Sequence, residues 1–192
     1  ITHKKMNVFY LPDAQLGTIS FPEEESKHIV KVLRMKEGDS FCVTNGKGSL
    51  FDAELVDAHP KRATADLSNQ RSGYDIREFK LTIALAPTKL NERTEWFLEK
   101  ATEIGIDEVK LFASYHSERR VANVERFKKI VISAMKQSVK SKMPVVEEMV
   151  PFDKLVKQDF DGQKFIAWID DDVKEQLCDL YKKGENAIVL IG

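Results

Sequence analysis

Cysteine is scarce in this chain, with two residues in 192, Cys42 and Cys178. That excludes a disulfide-stapled scaffold. Each falls in an apolar pattern, so both are expected as buried free thiols in a cytoplasmic protein. Histidine is nearly as rare, and His28, His59 and His116 share no ligand spacing with the cysteines, so no metal site is expected. No apolar run approaches the ~20 residues of a membrane span, and no signal-peptide pattern opens the chain. The chain has no internal repeat and no low-complexity segment. No GxGxxG follows a strand and there is no P-loop lysine, which disfavours the usual nucleotide-handling folds. A net charge of -1 excludes a uniformly basic nucleic-acid binder.

What is present is a core-forming composition, 42% apolar and 32% charged, and an uneven spread of charge. Eight basic residues (Arg119, Arg120, Arg126, Lys128, Lys129, Lys136, Lys140, Lys142) meet one acid, Glu125, between positions 119 and 142, a local balance of 8 − 1 = +7. Helical lysines are most often a solvated face. Here the near-absence of interspersed acids, and the continuation of the run beyond the helix as Arg119-Arg120 and Lys142, favour contact with phosphates.

Two rhythms divide the chain. From residue 6 to about 70, short alternating patterns (Phe41/Val43, Phe51/Ala53/Leu55, Ala63/Ala65/Leu67) predict strands, with a hairpin at Asn45-Gly46 and Gly48. One helix, Glu23 to Leu33, carries acids in its first turn and bases in its last. Residues 68 to 80 are polar and turn-rich and read as a linker. Strands then alternate with longer helices. A strand over Leu81–Ala86 precedes a helix over Glu92–Ile104, with Phe97, Ala101 and Ile104 on one stripe and Gly105 as its stop. A strand over Val109–Ala113 precedes a helix capped by Asn123. A strand over Lys164–Ile169, a helix over Val173–Lys183 and a strand over Ala187–Ile191 complete a parallel sheet with helices on its faces.

Ligands of such sheets bind beyond the carboxyl ends of the strands. Three exits are legible, at Ala86-Pro87-Thr88-Lys89, Ile169-Asp170-Asp171-Asp172 and Ile191-Gly192. The aspartate triplet reads as a polar turn with a helix cap rather than a magnesium site. Gly192 by itself reads as an ordinary turn, and Glu103 as a structural ion pair, with Lys100 or with an arginine of the next element. No residue stands out as a general base, so the catalytic residues are left unassigned.

Read in order, Lys89, Glu99-Lys-Ala-Thr-Glu-Ile-Gly105, Ser117-Glu-Arg-Arg120, and Gln137-Ser138 with Lys140 and Pro144 resemble the bacterial 16S ribosomal RNA uridine-N3 methyltransferases of the SPOUT class. His28-Ile-Val-Lys-Val-Leu-Arg-Met35, Gly38-Asp39 and the Asn45-Gly-Lys-Gly hairpin look like the PUA-like barrel of that family. The resemblance implies an α/β protein with a PUA-like RNA-binding β-barrel over residues 6–72 and a SPOUT-type methyltransferase domain over residues 80–192. It implies S-adenosylmethionine as methyl donor, met by Ile169, Leu190, Ile191 and Gly192. It also implies RNA contacts by His28, Arg34, Lys89, Arg119, Arg120, Gln137, Lys140 and Lys142, with Gln137 and Lys140 along the groove to the donor. Lys140 stands where the family commonly has arginine, which forgoes bidentate recognition. The implied partners are 16S ribosomal RNA or the small ribosomal subunit and a second copy of the chain, with no membrane and no metal. Ile188–Gly192 looks like the opening of the family segment Leu-Ile-Gly-Pro-Glu-Gly-Gly. The trefoil knot that this segment helps to form is therefore expected only in a longer, complete protein. The alternative is a non-catalytic RNA-binding or ribosome-assembly protein on the same scaffold.

Overall fold

Alternation of large apolar and polar side chains builds the first sheet. In the computed structural model, which describes residues 7–73, 76–170 and 174–192, strands β1 (Val8–Tyr10), β2 (Gly17–Ser20), β3 (Ser40–Thr44), β4 (Ser49–Asp57) and β5 (Thr64–Ser72) are ordered β1-β3-β4-β5-β2. The β1–β3 pair is parallel and the rest are antiparallel, so the sheet is mixed. One face gathers Phe9, Phe41, Val43, Phe51, Ala53, Leu55, Ala65 and Leu67. Phe9 meets Phe41 and Phe21 edge-on at 5.1 and 5.8 Å. Each fully buried side chain of this size contributes about 1.5–3 kcal/mol.

Helix α1 (Glu23–Lys27) continues as a π-helical turn, His28–Val32, which sets Ile29 wholly inside this core. Ser26 pins the helix: its Oγ donates to the Phe21 carbonyl at 3.1 Å and accepts from Ala63 N at 2.9 Å. Beyond the π turn, Arg34 takes φ 54°, a left-handed conformation that costs a non-glycine residue about 1–2 kcal/mol.

The chain divides into two compact units, Ile1–Ile76 with Met135–Met143, and Arg77–Ala134 with Pro144–Gly192. The second stretch of the first unit covers the outer face of β3, where Val139 packs against Val8, Cys42 and Leu50. That is why β3 is buried on both faces.

The second unit is built on a parallel sheet ordered β10-β11-β6-β7-β8, with β9 also paired to β7. Its elements are β6 (Leu81–Leu85), α2 (Asn91–Ile104), β7 (Glu108–Ala113), α3 (Val124–Gln137), β8 (Val145–Val146), β9 (Val150–Pro151), α4 (Phe152–Val156), β10 (Gln163–Ile166), α5 (Leu177–Leu180) and β11 (Ala187–Ile191). Leu98, Val109, Leu111, Phe127 and Val131 are all fully buried. Leu155 of α4 closes a second cluster with Ala84, Phe112 and Ile188. Gly105 ends α2 at φ 100°, as its position predicts. Arg77 ties the loop after it, donating to the Gly105 carbonyl and pairing with Asp107 at 2.9 Å.

Several expectations need correction. The polar stretch after Leu67 is strand as far as Ser72, because its backbone pairs with β4 (Ser49↔Ser72, Leu50↔Arg71) whatever its side chains are. The stripe of α2 is Thr94, Leu98, Ala101 and Thr102, whereas Ile104 is 77% exposed. The strand expected over Lys164–Ile169 ends at Ile166. The helix expected over Val173–Lys183 shrinks to α5, whose Leu177 and Leu180 stay half exposed and give a longer helix nothing to pack against. For the same reason Cys178 is exposed, whereas Cys42 is buried. Met6, Tyr74 and Asp75, and Asp171, Asp172 and Val173 of the expected turn and helix start, lie outside the described residues. Among the described residues, no helix is long and apolar enough to cross a membrane.

Candidate functional site

Parallel pairing brings two of the expected exits to one end of the second unit's sheet. The carbonyl of Ile191 accepts from Ala86 N at 2.9 Å, so the chain leaves β6 and β11 side by side. A cavity of about 420 Å³ opens there, lined by Leu85, Thr88, Arg93, Trp96, Phe97 and Ile191 among others. Thr88 shapes its entrance, donating through Oγ1 to the Leu90 carbonyl at 2.8 Å and through its backbone N–H to Thr94 Oγ1 in the first turn of α2 at 3.3 Å. At Gly192 a Cβ would come within 3.1 Å of Phe112 Cζ and 3.4 Å of Ala86 Cβ, so packing leaves this backbone bare at the sheet end. Leu190 and Ile191 flank it. Ile169 stands apart, fully exposed on the loop after β10.

Lys89, Arg119 and Arg120 share a second, shallower cleft of about 380 Å³ with Glu118 and Val121. Arg119 Nη2 donates to the Lys89 carbonyl at 2.7 Å, and Lys89 Nζ lies 3.3 Å from a Glu118 oxygen. Arg120 Nη2 donates to the Tyr115 carbonyl at 3.2 Å. Three cations and one carboxylate thus meet on two loops, and the forked arginine donors have the geometry that suits an oxyanion.

The other candidates belong to the first unit. The His28 ring stands edge-on to Phe9, 6.0 Å between centroids, with Nδ1 3.7 Å from a Glu25 oxygen. Arg34 is exposed on its left-handed turn, and Gln137 is exposed at the end of α3. Lys140 follows Val139, itself at φ 55°, and its N–H returns to the Met135 carbonyl at 3.0 Å. Lys142 forms an antiparallel bridge with Lys47.

The basic run is less free than its composition suggests. Arg126 pairs with Glu95 at 2.7 Å, Lys128 with Glu125 at 2.8 Å and Lys136 with Glu25 at 2.9 Å. Lys100 binds both Glu99 and Glu103, and those hydrogen bonds hold its ammonium pKa up, so Glu103 is a partner in a structural pair. Arg93 and Trp96 escaped the sequence reading. Their signal was present as a cation and an aromatic three residues apart, in the first turns after a strand exit.

Residues 76–192, more than half of the chain, match the RNA methyltransferase domain family, and residues 21–68 match the RNA methyltransferase PUA domain. The chain is 39% identical to a probable rRNA-methyltransferase from Porphyromonas gingivalis, with a TM-score of 0.86 over 97% of this chain and 79% of that one. At 22% identity it shares the fold of a ribosomal RNA small subunit methyltransferase E from Neisseria gonorrhoeae, solved bound to S-adenosyl methionine (TM-score 0.85, 97% of this chain, 79% of that one). It is 28% identical over 155 residues to the ribosomal RNA small subunit methyltransferase E of Bacillus subtilis, covering 75% of this chain and 59% of that relative's length. The first unit is thus PUA-like and the second a SPOUT-type α/β unit, and the chain belongs to the RNA methyltransferase family.

Proposed function

We propose that the protein methylates N3 of a uridine in 16S ribosomal RNA, with S-adenosylmethionine as donor. The observation that carries this reading is the bare, apolar end of β11 beside the exit of β6, in a chain of the RNA methyltransferase family. Those residues fit such a group. Leu190 and Ile191 offer an apolar wall, and Gly192 offers backbone without a side chain. When bound, the donor supplies an electrophilic sulfonium methyl, whose C–S bond breaks as a C–N3 bond forms.

This chain must supply binding, orientation and charge. N3 of uracil carries a proton and is a poor nucleophile at neutral pH, so that proton must leave as the bond forms. Negative charge then develops on the flanking carbonyl oxygens, and cationic donors aimed at them lower the barrier. Arg119 carries that role in the proposal, with Lys89 and Arg120 holding phosphates of the same strand. His28, Arg34, Gln137, Lys140 and Lys142 of the PUA-like unit extend the grip on RNA. A homodimer with its active site at the subunit interface, working in the cytoplasm on the small ribosomal subunit or its RNA, completes the reading.

Calorimetric titration of S-adenosylmethionine into the protein tests it. Saturable binding with one site per chain is expected, and no heat of binding under conditions where the fold is intact would contradict it.

A further inference from the structure

The loop from β7 to α3 turns tightly at its start. Ser117 N donates to the Ser114 carbonyl at 3.2 Å, so residues 114–117 form a four-residue turn with Tyr115 and His116 at its centre. Ser114 N donates to Ser117 Oγ at 2.9 Å, and the two serine hydroxyls lie 3.0 Å apart. Arg120 holds the tip as well, through its bond to the Tyr115 carbonyl. Side chains and backbone together fix this turn.

What the turn carries is unusual for its position. Local physics favours glycine, proline, asparagine, aspartate and serine at the centre of a turn, yet both central residues here are rings. Tyr115 is 87% exposed, with the His116 ring nearly perpendicular to it at 5.0 Å between centroids. A ring that stands alone on a surface needs no explanation. This one has company. Arg120, bonded to its carbonyl, shares a cleft with Lys89 and Arg119, and Val121 of the same cleft is also exposed. An open aromatic ring beside forked phosphate donors is how proteins hold unpaired nucleotides, one group taking the base and the other the phosphate.

We infer that Tyr115 is a stacking platform for one unpaired base of the RNA substrate, with His116 against its ring and Lys89, Arg119 and Arg120 on the adjoining phosphates. This rests on the RNA-binding reading above and adds to it a residue and a substrate class. That class is a single-stranded segment, since bases stacked inside a duplex offer no free face. The platform does not read the base, because every base has a π-face. It selects strand state, while the cleft supplies charge.

The test is filter binding of a 16S ribosomal RNA transcript across a salt series, with thermal unfolding of each variant measured alongside. Tyr115→Ala should weaken binding by about 5- to 150-fold. The slope of log affinity against log salt should not change, because no charge is lost. Tyr115→Phe keeps the ring and should bind like the parent. Both thermal midpoints should match the parent's, since the ring is exposed. The alanine loss should recur on a short single strand and vanish when that strand is annealed to its complement. Parent-like affinity of Tyr115→Ala would overturn the platform alone. Equal losses in the two variants, an equal loss on the duplex, a flattened slope or a lowered midpoint would overturn it as well, by showing a hydroxyl contact, a backbone contact, a disturbed Arg120 or a structural role. If the parent protein shows no salt-dependent RNA binding, the platform and the RNA reading fall together.

Discussion

Lys136 Nζ lies 2.9 Å from Glu25 Oε1, with both side chains about four-fifths buried, and it sits 5.7 Å from the centroid of the Phe9 ring. A lysine that composition places in a basic, RNA-facing run is thus spent inside the PUA-like unit. It fastens the 135–143 segment to α1, and its desolvated charge is balanced by a carboxylate and a ring face.

Removing that cation strands the carboxylate. Lys136→Met should destabilise the protein by about 3 kcal/mol, because breaking one side of a buried pair leaves an uncompensated charge. The salt slope of RNA binding should not move. Denaturant unfolding and salt-series binding check the two halves of this prediction separately.

Arg119 and Arg120 should behave in the opposite way. Arg120 is exposed and Arg119 half-buried, and both hydrogen-bond only to backbone carbonyls in the contacts described above. Reversing both to glutamate should leave stability within about 0.5 kcal/mol, while weakening RNA binding and flattening its salt dependence. Unchanged affinity and slope would remove the cleft from the RNA path.

Ser26 is a purely structural test. Its buried hydroxyl serves the Phe21 carbonyl and the Ala63 amide. Ser26→Ala leaves both backbone groups without that partner and should cost about 1–3 kcal/mol. Thermal unfolding would show it, with S-adenosylmethionine binding to folded protein unchanged.

A pH dependence follows from Glu108. Burial raises its pKa, but hydrogen bonds with Lys80 at 2.8 Å, with Glu147 and with Thr82 at 3.0 Å outweigh that and hold the carboxyl below the ordinary 4.5. A lowered folded pKa gives stability that is fully present above about 4.5 and is lost as pH falls through the folded value. Lys80→Met should destabilise at neutral pH and shrink the acid-side loss, as read from unfolding midpoints between pH 3 and 7.

What could be read from the sequence was local. Gly105 and Asn123 mark helix ends through the few residues around them, and both act as expected: Gly105 closes α2, and Asn123 Oδ1 accepts from Arg126 N at 3.0 Å. The alternation in β3 and β4 needs only the next residue but one. The rest depended on distant partners. Nothing near Lys136 announces Glu25, 111 positions earlier, and nothing near Val139 announces the face formed by Val8, Cys42 and Leu50. The site divides in the same way. Strand exits are visible as apolar runs that stop at Ala86 and Gly192. Which cations of the basic run are paired with carboxylates emerges only when separate segments come together.

Mass spectrometry of nucleosides tests the central claim most directly, using 16S ribosomal RNA from cells that lack this gene, incubated with the protein and S-adenosylmethionine. The account predicts 3-methyluridine at a single position, dependent on the donor. Ribosomal RNA that is bound but gains no 3-methyluridine would contradict it and leave an RNA-binding protein without the transfer.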